Sequence, residues 1–257
     1  MHGFLDCHCH ISAADFDKDI ETVIEHSKQA GLLALLAVAE HAGEFDKIIA
    51  LSKRFPGFVL PCLGVHPVQE VSSDQHRSAS LQDLDAALPL IDKYKDQLVA
   101  IGEVGLDFTP RYVKSESDKE SQREVLIRQA RLAKELDLPL NVHSRSAGRP
   151  TIQLLKEQGV EKVLLHAFDG KPSVAMEGVK AGYFFSIPPS IVRSEQVRVL
   201  TIHSFRESFP SISAETCETV ASREYVPGNG LARTRPREAG EKRAQEHHCC
   251  GRVYQRR

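Results

Sequence analysis

The sequence lacks any apolar run that approaches the ~20 residues of a membrane-spanning helix, and its amino terminus lacks the basic-then-apolar pattern of a secretory leader. Both absences predict a soluble intracellular protein, cytoplasmic or nuclear, with no membrane partner. An excess of positive charge is also missing, since 33 lysines and arginines face 35 aspartates and glutamates and the formal net charge is −2. A nucleic acid would therefore have to be bound by a local basic patch and not by the field of the whole molecule.

The cysteine content argues against a disulfide framework, because six cysteines in a 257-residue chain without a leader are typical of reduced thiols. No low-complexity block interrupts the first two thirds of the chain, and hydrophobic residues make up 41% of it. A chain of this length and composition is sufficient for one large α/β domain with a sizeable core, but not for a second full domain.

Short apolar segments alternate with amphipathic helical segments as far as Gln196. The strand-like segments are GFLDCHCH, LLALLAVAE, FVLPCLGVHP, LVAIGEVGLDF, LPLNVHSR, KVLLHAF and GYFFSIPPS. In the first helical pattern, DFDKDIETVIEHSKQAG, we expect Asp15 or Asp17 to cap the helix and Gly31 to end it. The alternation predicts βαβ units and a parallel sheet. Seven strands approach the eight of a (β/α)8 barrel, whose chemistry lies on the loops after the carboxyl ends of the strands.

The opening strand carries the pattern DCHCH. A period of two places Asp6, His8 and His10 on one face and Cys7 and Cys9 on the other. In a barrel we expect both cysteines to pack outward beneath the helices, while the imidazoles point into the mouth, close enough to share a metal ion. The alternative interpretation is a pair of surface histidines near the amino terminus.

Other strand-like segments also end in polar residues: His66, Glu103 with Asp107, His143 with Arg145, and His166 with Asp169. A single histidine is more often a core residue with a local hydrogen bond. Four strands that carry His or Glu at the same end favour a cluster instead. Imidazoles with one bridging carboxylate suit two divalent ions a few Å apart, and they favour zinc, manganese or cobalt over magnesium.

In their order along the chain, DxHxH, GxHP, GEVGLD, the HSR after the fifth strand and HAFDG resemble the TatD family of metal-dependent deoxyribonucleases, in the amidohydrolase superfamily. The resemblance covers residues 1–196. It implies a (β/α)8 barrel that hydrolyses DNA phosphodiesters, with 3′-exonuclease and abasic-site endonuclease activities. It also implies two divalent metal ions (zinc, manganese or magnesium). By the resemblance, His8 and His10 bind one ion, His143 and His166 bind the second, and Glu103 bridges the two. His66 and Arg145 would face the scissile phosphate. Nothing in the sequence indicates an obligate protein partner, and we expect a monomer.

The chain departs from the family after its seventh strand. Family members carry a last strand that ends in ETDSP, whose aspartate would bind the first ion and take the proton from the attacking water, but no Asp follows Asp169 here. From Val197 the alternation of strands and helices stops. We therefore expect residues 1–196 to form an incomplete barrel with open edges at its first and seventh strands. Residues 197–257 are predicted to form a disordered tail.

A shift of reading frame would explain this departure. Written as degenerate codons and read one base later, the segment from Glu215 to Cys250 permits ETDSP and RNEP in family order. QVR at 196–198 can encode a splice donor, and FPSISA before Glu215 can encode an acceptor. We hypothesise that residues 197–214 derive from an intron. EHHCCG then arises by accident, and it also lacks the CxxC spacing of a zinc site.

Two classes of function stay open at this point. The first is a metal-dependent nuclease impaired by the loss of its aspartate. The second is a catalytically silent barrel fragment, or a metal-binding scaffold, from an alternative transcript. Among enzymes, the main alternative to a nuclease is an amidohydrolase that acts on a small substrate, because the fold does not determine the function. Many such enzymes bridge their metals with a lysine on strand four, and Glu103 at that place favours the TatD branch.

Overall fold

The computed structural model describes residues 4–72, 75–186 and 250–252. The strands are β1 (Phe4–Cys9), β2 (Leu32–Val38), β3 (Val59–Leu63), β4 (Val68–Ser72), β5 (Gln75–Ser78), β6 (Ala100–Gly105), β7 (Leu140–His143), β8 (Val163–Leu165), β9 (Phe184–Phe185) and β10 (Cys250–Arg252). The helices are α1 (Ile20–Gln29), α2 (Phe45–Arg54), α3 (Leu81–Tyr94), α4 (Glu116–Glu135), α5 (Gly148–Glu157) and α6 (Pro172–Lys180).

All seven predicted strands are present, and they form one curled parallel sheet in the order β1-β2-β3-β6-β7-β8-β9. Each pair of neighbouring strands is joined through at least one helix, as the alternation predicted. The architecture is therefore that of an incomplete (β/α)8 barrel. None of the helices in the described residues combines the length and apolar composition that a bilayer span requires.

The outer edge of β1 is not open, contrary to the expectation for the first strand. β10 pairs with it in antiparallel orientation, with Arg252 opposite Asp6 and Cys250 opposite His8. The direction is opposite to that of the eighth strand of a closed barrel, which runs parallel to the first. Apart from β10, the predicted tail at 197–257 and the segment EHHCCG lie outside the described residues.

Helix boundaries follow local sequence signals, with one correction. Neither Asp15 nor Asp17 caps α1, because Ala14–Phe16 first form a short 3₁₀ turn and the N-cap position falls on Asp19, whose side chain makes no cap hydrogen bond. Gly31 ends this helix as predicted, with a φ of +88°. A hairpin of β4 and β5, which the sequence patterns did not reveal, lies between β3 and α3.

The two faces of the sheet carry different clusters. On β2, Leu35 and Ala37 belong to the main core, which also contains helix residues such as Phe45 and Leu84. The alternate residues Leu36 and Val38 belong to a small second cluster with Cys62, Val99 and Ala100, which contains no helix residue. Since alternate residues face opposite sides of a strand, the main core lies between sheet and helices, and the small cluster lies on the concave inner face.

The strict alternation predicted for DCHCH is interrupted. Asp6 pairs with Leu35 and Cys9 pairs with Ala37, so β1 carries one extra residue between these positions, as in a β-bulge. Cys9 packs in the main core beneath the helices as expected. Cys7 does not: its thiol contacts the Ser186 side chain, and it lies near enough to Cys62 on the inner face to perturb the pKa of that thiol.

Candidate metal centre

Five imidazoles surround the carboxylate of Glu103 at the carboxyl ends of the strands. Glu103 is only 1% exposed. Its Oε1 lies 2.7 Å from Nε2 of His166, 2.8 Å from Nδ1 of His143 and 3.6 Å from Nε2 of His66. Its Oε2 lies 3.2 Å from Nε2 of His10 and 3.5 Å from Nε2 of His8. The fold therefore gathers six of the seven predicted site residues around one carboxylate.

His8, His10 and the Oε2 atom of Glu103 form a first group that could hold a metal ion. The two Nε2 atoms are 3.2 Å apart. The amide of Asn141 donates from Nδ2 to the Cys7 carbonyl over 2.7 Å, so its Oδ1 must be the atom that lies 2.8 Å from Nδ1 of His8. Nδ1 of His8 is then the donor of that hydrogen bond, and the lone pair of Nε2 faces Glu103.

The donor set of this first group fits a divalent cation. Oε2 of Glu103 is buried and accepts no hydrogen bond within the described residues, although two imidazole nitrogens lie close to it. A lone pair of His8 and a carboxylate oxygen thus face each other, and in the absence of a cation they depend on a proton carried by His10, whose Nε2 lies 3.2 Å from both. Such an arrangement is costly when dry, and a zinc or manganese ion with nitrogen and oxygen ligands would satisfy it.

A second group contains His66, Glu103 and His143, with His166 beside it. Nδ1 of His143 and Nε2 of His166 are 3.3 Å apart, and both lie next to Oε1 of Glu103. On its other side, Nε2 of His143 lies 3.1 Å from Oδ2 of Asp107, which orients the ring. His66 is held through its Nδ1, which accepts from the Val68 N–H over 3.1 Å and lies 2.9 Å from the Val68 carbonyl oxygen.

The charges of the cluster are strongly coupled. Burial opposes ionisation of Glu103, but the charges of the surrounding histidines hold its pKa well below the ordinary value. Burial lowers the pKa of His10, yet the Glu103 carboxylate outweighs burial and raises that pKa to about 9. For His143, Asp107 and Glu103 outweigh burial in the same way, and the pKa also reaches about 9. A divalent cation would take the place of these protons.

His166 behaves differently from its neighbours. Burial and the charge of His8, whose ring stacks on it with centroids 3.6 Å apart, hold the pKa of His166 well below its ordinary value. His166 is therefore a neutral imidazole over a wide pH range, with its Nε2 2.7 Å from Oε1 of Glu103. This is the form of imidazole that binds a metal.

Two glycines allow Glu103 to reach its partners on β7. A Cβ on Gly102 would lie 2.6 Å from Cβ of Asn141. At Gly105, where φ is +144°, a Cβ would lie 2.0 Å from the carbonyl oxygen of His143. Only glycine permits so close an approach, and that approach brings the β6 carboxylate within hydrogen-bond distance of the β7 imidazole.

Residues outside the predicted set position the site. Gln129 and Gln122, both fully buried on α4, each form a pair of hydrogen bonds with one backbone unit. Gln129 accepts from the Val65 N–H over 2.8 Å and donates to its carbonyl over 3.0 Å. Gln122 holds Asp107 in the same way, over 2.9 and 3.0 Å. The signal in the sequence is a pair of amides at buried positions of an amphipathic helix, seven residues apart.

Arg145 is the predicted site residue that lies outside the cluster. Its side chain is exposed, two residues after His143 on the same end of the sheet. His66, which the sequence assigned to the phosphate, lies within the cluster itself, where it forms with Glu103 and His143 the second group that could hold a metal ion.

Several known proteins are similar to this chain in sequence or in fold. The family described as TatD-related DNase matches residues 5–209. Human deoxyribonuclease TATDN3 is 68% identical over 198 residues, which cover 77% of this chain and 72% of that protein. The 3′-5′ ssDNA/RNA exonuclease TatD of Erwinia tasmaniensis is 30% identical over 212 residues, 82% of this chain and 75% of that protein. The crystal structure of the TatD homologue YjjV from Escherichia coli matches with a TM-score of 0.65 at 27% identity, over 77% of this chain and 73% of that one.

Proposed function

Because this chain belongs to the TatD family, we propose that it hydrolyses DNA phosphodiester bonds with divalent cations held by Glu103 and the histidines around it. One observation carries the proposal: the two oxygens of a single buried carboxylate each face a different pair of imidazoles. That arrangement is suited to a bridging ligand between two ions.

In this proposal, His8 and His10 hold one ion with Oε2 of Glu103, and His143 and His166 hold the other with Oε1. When bound, such ions lower the pKa of an attacking water and stabilise the attacking and leaving oxygens of the phosphodiester. The imidazole-rich set favours zinc or manganese, with magnesium as the weaker alternative. Asp107 and Asn141 keep the rings of His143 and His8 in the orientation that binding requires.

The assignment of DNA as the substrate is based on the basic side chains near the cluster and on the names of two relatives. Arg145 is exposed at the same end of the sheet as the cluster and is placed to meet a phosphate. His66, whose Nε2 lies 3.6 Å from Oε1 of Glu103, would meet the phosphate only where the phosphate enters the cluster. The human relative is named a deoxyribonuclease, and the Erwinia relative is named a 3′-5′ exonuclease on single-stranded DNA and RNA. We propose cleavage from a 3′ end, and incision at abasic sites, as the activities to test.

A second candidate is a metal-binding scaffold without catalysis, and the absence of any Asp after Asp169 favours it. The loss of a positioned base lowers the rate of hydrolysis by about 10²–10⁴-fold.

The missing aspartate also affects metal binding. The ion of His8 and His10 loses a ligand, so we expect it to be held more weakly than the ion of His143 and His166. After dialysis, we expect closer to one ion than two per chain.

The test compares this chain with a chain that carries the in-frame ETDSP ending. Both are assayed on a supercoiled plasmid and on a 3′-labelled oligonucleotide, with Mg²⁺, Mn²⁺ and Zn²⁺ in turn. We expect slow, EDTA-sensitive hydrolysis by this chain, its loss in Glu103→Gln, and a rate about 10²–10⁴ higher for the in-frame chain. Metal binding with no hydrolysis above the Glu103→Gln background would establish the scaffold instead. Equal rates in the two chains would disprove the role given to the missing aspartate.

A further inference from the structure

Four exposed cations lie on the loops that follow β6, β7 and β8, which are neighbours in the sheet. The loop after β6 carries two of them, and the loops after β7 and β8 carry one each. We call this set the basic rim, and its members are Arg111, Lys114, Arg145 and Lys171. None of the four forms an ion pair or a side-chain hydrogen bond with a residue that the structure describes. Their charges are therefore available to a ligand.

The three loops contact one another beside the metal centre. The N–H of Phe108, in the loop after β6, donates to the carbonyl of Arg145 over 3.1 Å. The start of α5 is equally close to the loop after β8, because a Cβ on Gly148 would lie 2.8 Å from the ring of Phe168. Each loop follows a strand that leads to the cluster, and the cluster residues concerned are Glu103, His143 and His166. The basic rim is thus a continuous surface next to the proposed site.

The opposite side of the mouth carries the opposite charge. The loops after β1 and β2 are joined by a hydrogen bond from Ser12 Oγ to Glu44 over 3.2 Å. They contain one lysine, Lys18, and five acidic residues, which are Asp15, Asp17, Asp19, Glu40 and Glu44. In the loops of the basic rim, all of which the structure describes, Asp169 is the one exposed acidic residue. The positive charge of the rim is therefore local, on a chain whose formal net charge is −2.

We propose that one strand of DNA lies along the basic rim, with the phosphate to be cleaved at the metal centre and neighbouring phosphates on Arg111, Lys114 and Lys171. This inference rests on the proposed function, which gives Arg145 a phosphate and leaves the other three cations without a role. Neighbouring strands of a sheet lie ~4.8 Å apart, so the ends of three strands extend over roughly 10 Å. One nucleic-acid strand carries a phosphate about every 3.4 Å along the helix axis. The rim therefore matches about three successive phosphates of one strand.

The division of charge around the mouth favours a single strand over a duplex. A second strand would extend from the basic rim across the mouth, towards the acidic loops after β1 and β2. Its phosphates would be repelled there, and the juxtaposition of like charges is an effective way to exclude a wrong partner. A single-stranded 3′ end requires only the basic side.

The test measures binding of a fluorescein-labelled single-stranded oligonucleotide by anisotropy, in EDTA so that no strand is cleaved. The rim variant is Lys114→Gln/Lys171→Gln, which removes the lysines that precede or cap α4 and α6. The matched control is Lys134→Gln/Lys180→Gln, which removes exposed lysines from the last turns of the same two helices, at the opposite end of the sheet. Both double variants lose the same net charge.

We expect the rim variant to bind roughly 25-fold more weakly at about 0.1 M salt, because each phosphate contact on a single strand contributes ~0.7 to the slope of log K against log salt concentration. That slope should be shallower by about 1.4 in the rim variant. The control should bind as the wild type does, and so should Lys114→Arg/Lys171→Arg, which retains both charges. A duplex of the same sequence should bind more weakly than the single strand.

Equal binding by the rim variant and the control would overturn the role of the basic rim, even if the wild type hydrolyses DNA. A wild type that binds no oligonucleotide, or that binds the duplex more tightly, would also overturn the inference. If the rim variant fails to fold, the single variants Lys114→Gln and Lys171→Gln decide, each with an expected loss of roughly fivefold. A wild type that binds the strand through the rim but cleaves no DNA with any metal would reject the proposed hydrolysis and support the rim.

Discussion

His8 of β1 donates a hydrogen bond from Nδ1 to the side-chain oxygen of Asn141 on β7 over 2.8 Å, across 133 residues of sequence. The same amide donates to the Cys7 carbonyl over 2.7 Å. One buried side chain therefore ties the first strand to the fifth strand of the parallel sheet and sets which nitrogen of His8 faces Glu103. The orientation of a metal ligand here depends on a residue that is not itself a ligand.

Replacement of Asn141 by leucine should weaken metal binding by about 10–100-fold, because His8 loses the partner that fixes its tautomer. Asn141→Asp is the control, since it retains the acceptor for His8 and loses only the donor to the Cys7 carbonyl. Calorimetry with Zn²⁺ or Mn²⁺ checks the prediction on variants whose folding is confirmed by circular dichroism. Tighter binding by the leucine variant than by the aspartate variant would contradict it.

Replacement of Gln129 by leucine should destabilise the fold by about 1–3 kcal/mol, because the buried N–H and carbonyl of Val65 lose their partners. Gln153, an exposed residue of α5, provides the control, and Gln153→Leu should stay within about 0.5 kcal/mol of the wild type. Urea denaturation measures both differences. Similar stabilities for the two variants would show that the Val65 backbone finds another partner.

Metal binding should release protons, because the pKa values of His10 and His143 are about 9 in the absence of metal while a metal ligand must be a neutral imidazole. The apparent affinity should therefore rise from pH 6.5 to about pH 9 and level off above it. Calorimetry in two buffers of different ionisation enthalpy counts the protons. A pH-independent affinity over this interval would mean that the metal does not displace protons from these residues.

The thiols of Cys7, Cys9 and Cys62 should resist alkylation in the native protein, since all three are buried. Burial, with the nearby charge of Asp6, raises the pKa of Cys7 to about 12, and burial raises the pKa of Cys62 as well. The fold thus favours the neutral thiols. Their contribution to stability is present below the pKa of the unfolded thiol, ~8.5, and is lost as the pH rises towards about 12.

Iodoacetamide labelling followed by peptide mass spectrometry tests this prediction at mildly alkaline pH. Peptides that contain these three cysteines should stay unmodified until denaturant is added, and the denatured chain is the internal control. Rapid labelling of Cys62 in the native state would show that the inner face of the sheet opens to solvent.

The arrangement of strands and helices could be predicted because it depends on local periodicity. The seven parallel strands, the end of α1 at Gly31 and the polar ends of the strands all follow from alternation over a few residues. Parallel strands place their carboxyl ends on one edge, so histidines far apart in sequence were expected to meet there. The structure places His8, His10 and His166 around Glu103 in agreement with that expectation.

The features that local patterns did not predict depend on strand register and on contacts between distant segments. The bulge between Asp6 and Cys9, which moves Cys7 away from the main core, depends on how β1 pairs with β2 and has no signal in β1 alone. The antiparallel pairing of β10 with β1 likewise depends on which segment reaches an edge that the sequence left open.

For this protein, the sequence by itself determined which residue types end each strand, because side-chain period and strand order are properties of the chain. Only the tertiary structure decided which nitrogen of His8 or His143 faces Glu103, that Gln122 and Gln129 hold the loops of the site, and that Phe108 joins its loop to that of Arg145. These features arise from hydrogen bonds between segments tens of residues apart. Such bonds are fixed by the packing of strands and helices against one another, which no local pattern records.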